Sequence, residues 1–276
     1  MRYKGRAPSE TRMSDITLYH NDMSVCSAKV RMAFAEKGVA WQGVHLDLRA
    51  GDTQKPDYVA LNPNQLVPTL VHDGRVIIES NIICEYIDDA WPAPALRPAN
   101  AYGRARMRMR MKLLDDWVHG ACGTVSLCIA FRQQFLRRSA AELKAYSDRL
   151  IDPARRERLK QALELGMDAP AFAPAVQRLA RLLADLDAAL AETPWLAGDD
   201  PSLADIAYAP YMIRFMQIGF ADLIEARPRL AAWANRLFER PSYKTGVEAW
   251  LNPAALALFA DERATASARI RHLLAA

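Results

Sequence analysis

Apolar and polar positions along the first third of the chain predict strands and helices in alternation. Ile16-Thr17-Leu18-Tyr19 is an apolar run broken by His20-Asn21-Asp22. Val30, Met32, Ala33, Phe34 and Ala35 then keep helical spacing up to Lys37-Gly38, so a strand runs through a turn into a helix. Val44-His45-Leu46-Asp47-Leu48 reads as a period-two strand entered through Trp41. A polar loop from Gly51 to Pro56 follows it, then a short helical turn at Asp57 to Leu61. Val67 to Val71 and Val76-Ile77-Ile78 are apolar strands joined by Asp73-Gly74, a strong hairpin signal. Glu79-Ser80 closes the second of them and opens a helix carrying Ile82, Ile83, Tyr86 and Ile87. The order predicts a small α/β unit with a mixed sheet.

The pattern changes at Trp91-Pro92-Ala93-Pro94-Ala95-Leu96-Arg97-Pro98, where prolines remove donors and fix φ. Beyond it no strand signal of any strength appears. From Tyr102, Met107, Met111, Leu114 and Val118 share one helical face, and Met109, Leu113 and Trp117 a neighbouring one. Two apolar faces predict neighbours on both sides, one of them a partner subunit. Ser139 to Asp168 is charge-rich and reads as short exposed helices and loop. Val176, Leu179, Leu182, Leu183, Leu186 and Leu190 form a clean amphipathic helix, and Ser202-Leu203-Ala204-Asp205 a capping box in its Asp form. The expected division is a mobile extension over 1–13, an α/β domain over 14–92, a linker over 93–101 and an all-helical domain over 102–276.

Composition narrows this little. The 276 residues are 51% hydrophobic and 25% charged, as in a globular protein with a sizeable core. No stretch reaches the ~20 apolar residues of a membrane span, and no apolar core follows the basic N-terminus as in a secretory signal. The formal charge of +4 is modest. The densest basic run, Arg104 to Lys112, interleaves with methionines and predicts an arginine-bearing helix face rather than nucleic-acid contact. Cys26, Cys84, Cys122 and Cys128 show no metal spacing and no CxxC, and the histidines are isolated. No metal site is expected; buried thiols in a reducing cytoplasm are.

Three junctions carry candidate chemistry. Ser24 and Cys26 sit where a helix begins, beside free N–H groups and the positive end of its dipole, a place that favours a thiolate. The plain alternative is a serine cap with a packed cysteine. A cis bond at Val67-Pro68 would offer the Val67 backbone to an extended peptide, while an ordinary edge-strand proline is the other reading. Ser80, with a helix start behind it, suits a carboxylate, and Glu79 an ammonium; a simple cap is again the alternative. A ligand with an amino-acid end, a peptide backbone and a thiol matches all three, and glutathione has those groups.

The sequence resembles the glutathione S-transferase superfamily from Asp15 onward. The resemblance rests on Ser24 to Arg31, Asn62-Pro63 with Val67-Pro68-Thr69-Leu70, Glu79-Ser80, and Gly198 with Ser202-Leu203-Ala204-Asp205-Ile206. It implies a thioredoxin-like N-terminal domain with a four-stranded mixed sheet, an all-helical C-terminal domain and a cytoplasmic homodimer active in detoxification. Glutathione would be the co-substrate and a small hydrophobic or aromatic electrophile the partner, with no nucleic acid and no membrane. The resemblance also implies that Val67 pairs with the cysteinyl backbone, Pro68 is the cis proline, and Glu79 and Ser80 hold the γ-glutamyl end. Gln65 would face the glycyl carboxylate, although Leu66 departs from the polar residue of many relatives. Met23 to Lys29 is similar to tetrachlorohydroquinone reductive dehalogenases and to zeta-class isomerases. The long Ser139–Asp168 segment is shared with the dehalogenase branch and with β-etherase-like enzymes.

Three functions follow as expectations. In the first, Ser24 activates glutathione for transfer to the electrophile. In the second, Cys26 is the working thiol of a reductive dehalogenase or isomerase. The third is a binding protein without turnover. The electrophile pocket is expected between Asp22-Met23, the helix around Arg110 to Trp117, and the C-terminal segment.

Overall fold

The computed structural model describes residues 15–275, and the extension expected over 1–13 lies outside them. Four strands, β1 (Ile16–His20), β2 (Gln42–His45), β3 (Thr69–His72) and β4 (Arg75–Ile77), form one sheet in the order β2-β1-β3-β4. β1 runs parallel to β2 and antiparallel to β3, and β3 pairs antiparallel with β4. The sheet is therefore mixed, as the pattern predicts. Asp73 (φ 49°) and Gly74 (φ 75°) make the hairpin turn, where two left-handed residues match the twist of the strands. β2 ends at His45, earlier than the alternation ending at Leu48 suggests. Its alternating residues are exposed, and the sheet's apolar face comes from Ile16, Leu18 and Leu70.

Helix α1 (Val25–Lys37) lies at the centre of the structure. Ser24 caps it, its hydroxyl accepting the Ser27 N–H at 3.1 Å, and Gly38 ends it at φ 63°, left-handed backbone that glycine adopts at little cost. Most of its residues are buried because both faces are covered. α2 (Pro56–Leu61) and α3 (Ser80–Ala90) complete the α/β part. At Gly246 the backbone of α13 (Pro241–Gly246) comes so close to α1 that a Cβ would lie 2.7 Å from Met32 Cα.

Apart from a single bridge between Trp195 and Gly198, the described residues after β4 form no strand. One rod comprises α4 (Ala101–Leu113), a π-helical turn at Leu114–Val118, α5 (His119–Ser126), a second π turn at Leu127–Phe131 and α6 (Arg132–Leu136). Met107, Met111, Leu114 and Val118 are buried, as their spacing predicts, while Met109 is exposed. Part of the basic run on α4 is engaged in surface ion pairs, Arg108 with Glu85 and Lys112 with Asp116 among them.

The charge-rich segment folds as α7 (Ala140–Asp148) and α8 (Pro153–Leu165). Phe135, Tyr146, Leu150 and Leu159 give it a small core of its own, and the Tyr146 hydroxyl donates to Leu48 O at 3.2 Å. It is thereby pinned to the loop after β2. α9 (Phe172–Ala189), α10 (Leu203–Phe215), α11 (Ala221–Glu225), α12 (Pro228–Phe238) and α14 (Pro253–Ala275) complete the helical part. Asp205 reaches back to the Ser202 N–H and hydroxyl at 2.9 and 2.8 Å and also accepts from Leu196 N and Trp233 Nε1.

Candidate functional site

The turn between β1 and α1 is held from both sides. Buried Arg31 donates to Asn21 O and Gly246 O, both at 2.9 Å, and Arg214 on α10 donates to Met23 O at 2.8 Å. A fixed turn fixes the start of α1, and with it Ser24 and Cys26.

Cys26 Sγ lies 3.5 Å from His119 Nδ1 and 3.7 Å from the Tyr211 hydroxyl, and His119 Nδ1 is 3.1 Å from that hydroxyl. Lys29, one turn along α1, is fully buried; its ammonium donates to Asn81 Oδ1 at 2.8 Å and lies 5.7 Å from the Tyr211 ring centre. Burial opposes ionisation of Cys26. The charges of His119 and then Lys29, with hydrogen bonds from His119 and Tyr211, outweigh it and bring the thiol down to about 6. The thiolate in turn raises His119, against burial. Burial and the same negative charge push Tyr211 well up, so it stays a phenol able to donate. At pH 7 a thiol with that pKa is roughly nine-tenths thiolate. The arrangement is a thiol drawn toward its ionised form beside an imidazole, with a phenol donor, the environment of a reactive cysteine.

The other cysteines differ. Burial pushes Cys84 up to about 12 and Cys122 and Cys128 up to about 11, as expected of packed thiols.

A cavity of about 680 Å³ opens beside this cluster. Ser24, Gln65, Leu66 and Val67 border it on the sheet side and His119 on the helical side. The Val67-Pro68 peptide is cis, as expected, and Asn62 secures the loop by donating to Leu66 O at 2.9 Å and Thr69 Oγ1 at 3.0 Å. Gln65 has φ 56°, and its Oε1 is buried without a hydrogen-bond partner among the described residues. An atom so placed calls for a donor from a ligand, or, with the amide turned over, presents an NH₂ to an acceptor. Glu79 is exposed, with φ 68° and its carboxylate near Asn64 Nδ2 at 3.4 Å; Ser80 is buried at the first turn of α3. Neither borders the cavity, and neither does Cys26, which meets it through His119.

The helical wall lies further along than the stretch expected at Arg110 to Trp117. It runs from His119 through Cys128 to Phe131 and Phe135, and Asn252 and Ala255 close it at the start of α14. The reason is local: the π turn at Leu114–Val118 re-aims every side chain after it, which a constant helical period does not anticipate. His119, Tyr211 and Lys29 also escape reading from sequence. Lys29 alone left a signal, a lysine three residues after Cys26 on the same helix face.

Two family profiles match: the glutathione S-transferase N-terminal domain over residues 14–89 and its C-terminal domain over 153–236. The tetrachloro-p-hydroquinone reductive dehalogenase of Sphingobium chlorophenolicum is 31% identical over 241 residues, covering 84% of this chain and 96% of that protein. The β-etherase LigF of Sphingobium sp. strain SYK-6 superposes with a TM-score of 0.78 at 26% identity, covering 85% of this chain and 99% of the other. The theta class glutathione S-transferase of Xanthomonas axonopodis pv. citri, solved with glutathione bound, gives 0.65 at 28% identity, with 85% and 98% covered. With two domain profiles in order and near full-length similarity to these proteins, the chain belongs to the glutathione S-transferase family.

Proposed function

We propose that this protein is a glutathione-dependent enzyme that removes a leaving group reductively from a hydroxyl-bearing aromatic substrate, with Cys26 as the resolving thiol. The observation that carries the reading is the contact of Cys26 Sγ with His119 and Tyr211, which makes it the ionised cysteine of the chain. The similarity to a reductive dehalogenase supports it over simple transfer. Glutathione supplies two thiols and the pair of electrons for the reduction. Val67 would bind its backbone and Gln65 its glycyl end, with Pro68 shaping the strand; Glu79 and Ser80 would take the γ-glutamyl end. The orphaned Gln65 Oε1 supports a polar ligand there.

Ser24 donates its hydroxyl to the glutathione sulfur while that sulfur displaces halide from the arene. The Cys26 thiolate then attacks the sulfur of the aryl thioether. An S–S bond forms and the S–C bond breaks; with the ring in its keto tautomer the bonding pair passes into the ring as an enolate whose oxygen carries the charge. His119, protonated beside the thiolate, delivers a proton to that carbon. A second glutathione thiolate attacks the mixed disulfide, releasing glutathione disulfide and restoring Cys26. Two thiols are oxidised, one carbon is reduced, and halide leaves with one proton.

A second reading, transfer by Ser24 alone, is favoured by the position of Ser24 on the cavity edge while Cys26 stands behind it. Single-turnover quenching with acid followed by peptide mapping separates the two. The first requires a glutathionyl adduct on Cys26 during turnover of a halogenated hydroquinone; its absence throughout the time course rejects it.

The same reading makes the protein a cytoplasmic homodimer. The exposed apolar side chains Ile82, Tyr102 and Met109 on α3 and α4 support a partner subunit there. The domains expected over 14–92 and 102–276 would then be the glutathione-binding and substrate-binding halves of each subunit. No helix among the described residues is long and apolar enough to cross a membrane.

A further inference from the structure

Several arginines of this protein are matched with carboxylates. Arg240 pairs with Glu36 through two bonds of 2.6 and 2.7 Å, Arg229 with Asp187 at 2.7 Å, and Arg108 with Glu85 at 2.8 Å. Three arginines bordering the cavity have no such partner. Among the described residues, Arg49, Arg155 and Arg214 have no carboxylate within ion-pair distance, although Arg214 is 6% exposed and the others are half-buried.

Their hydrogen bonds leave donors free. Arg214 uses Nε on Gln217 and Nη2 on Met23 O, and its Nη1 has no protein acceptor among the described residues. Arg49 donates Nε to Gln134 Oε1 at 3.0 Å, and Arg155 makes no hydrogen bond with the described residues. Arg49 and Arg214 lie over the same ring, 4.7 and 5.1 Å from the centre of Phe131, so two cations share one aromatic face partner.

The acids at the cavity are already engaged. Asp22 contacts His45 and Asn252, Asp47 accepts the Arg49 and Ala50 N–H groups, and Asp152 caps α8 and faces Arg158 at 3.8 Å. Burial lowers all three arginines, and in Arg214 the charge of Arg49 adds to it; a guanidinium nonetheless keeps its charge at neutral pH. A set of guanidinium groups without ion-pair partners, beside Phe131, Phe135 and Tyr146, is complementary to an anion carried on an aromatic ring. The planar fork of a guanidinium fits a carboxylate.

We propose that Arg49, Arg155 and Arg214 form a carboxylate subsite, which makes the electrophilic substrate an aromatic carboxylate. As a statement about the substrate this rests on the thiol chemistry proposed above; as a statement about binding it stands apart. A volume of about 680 Å³ accommodates a two-ring ligand. α8, which carries Arg155, belongs to the charge-rich segment, so that segment acts as the specificity wall of the site.

The test is calorimetric binding of biphenyl-4-carboxylate and biphenyl-4-carboxamide to the full-length enzyme without glutathione. The carboxylate should bind at least about 10-fold tighter than its neutral isostere, and raised salt should erode that preference. Arg155→Ala removes a side chain that holds nothing in the fold. It should weaken the carboxylate about 5-fold or more and leave the carboxamide unchanged, and Arg49→Gln should do the same. Equal affinities for the two ligands in the unaltered enzyme would overturn the proposal. So would an equal loss for both in Arg155→Ala, or displacement of the carboxylate by glutathione, which would assign the arginines to the peptide. None of these outcomes depends on whether Cys26 turns over.

Discussion

The imidazole of His119 stands 3.5 Å from the sulfur of Cys26, though 93 residues separate them in sequence. The sulfur belongs to α1, the helix that directly follows β1, and the imidazole to a long helical rod on the other side of the cavity. Their meeting turns a capped helix with a cysteine into a thiolate centre. It also makes the site depend on how the two halves of the structure dock.

His119→Ala should raise the Cys26 pKa from about 6 by a unit or more, since the largest favourable charge is lost and burial remains. Alkylation by iodoacetamide followed against pH would show it, with the midpoint moving toward the ordinary thiol range. An unmoved midpoint would mean that His119 does not pair with the thiolate.

Lys29→Met should separate chemistry from stability. The ammonium is fully buried and its one hydrogen-bond partner among the described residues is the neutral Asn81, so its removal relieves a desolvated charge. The variant should melt no lower than the parent while its Cys26 reacts more slowly at pH 6. A large drop in melting temperature would show that the Lys29–Asn81 bond is structural first.

Glu36→Gln should cost about 2 kcal/mol at neutral pH, because it breaks a two-bond pair with Arg240 and weakens a bond from Ser242. Burial opposes the charge of Glu36, but Arg240 and Ser242 outweigh it and hold the carboxyl below its usual range. Its stabilisation is therefore complete above the unfolded pKa of about 4.3 and fades as pH falls through the lower folded value. Urea unfolding from pH 7 to pH 3 should show the gap between parent and variant closing.

Asp205→Ala should cost about 3 kcal/mol or more, since four donors lose a buried acceptor. Denaturant midpoints would give the loss, and the tryptophan fluorescence of Trp233 should shift with it.

How far these residues can be read from sequence follows from how local their geometry is. The Asp73-Gly74 hairpin, the Ser24 cap and the Ser202–Asp205 cap are set by neighbours a few positions apart, and they appear in the structure where the sequence predicts them. Val67, Gln65 and Ser24 converge on one cavity because each lies at a strand or helix end, positions marked by proline, polarity and period. The partners of Cys26 are not local. His119 follows a π turn, which shifts the face of the rod, and Tyr211 sits amid an all-buried stretch of α10 where a tyrosine looks like core. The arginine-lined end of the cavity is equally hidden, for whether an arginine has a carboxylate partner depends on tertiary packing.

The most direct test of Cys26 as the resolving thiol is product analysis with Cys26→Ser, using a halogenated hydroquinone and excess glutathione. The parent enzyme should give the dehalogenated arene and glutathione disulfide in equal amounts, while the variant should stop at the glutathionyl arene. Undiminished release of the reduced arene by Cys26→Ser would contradict the account.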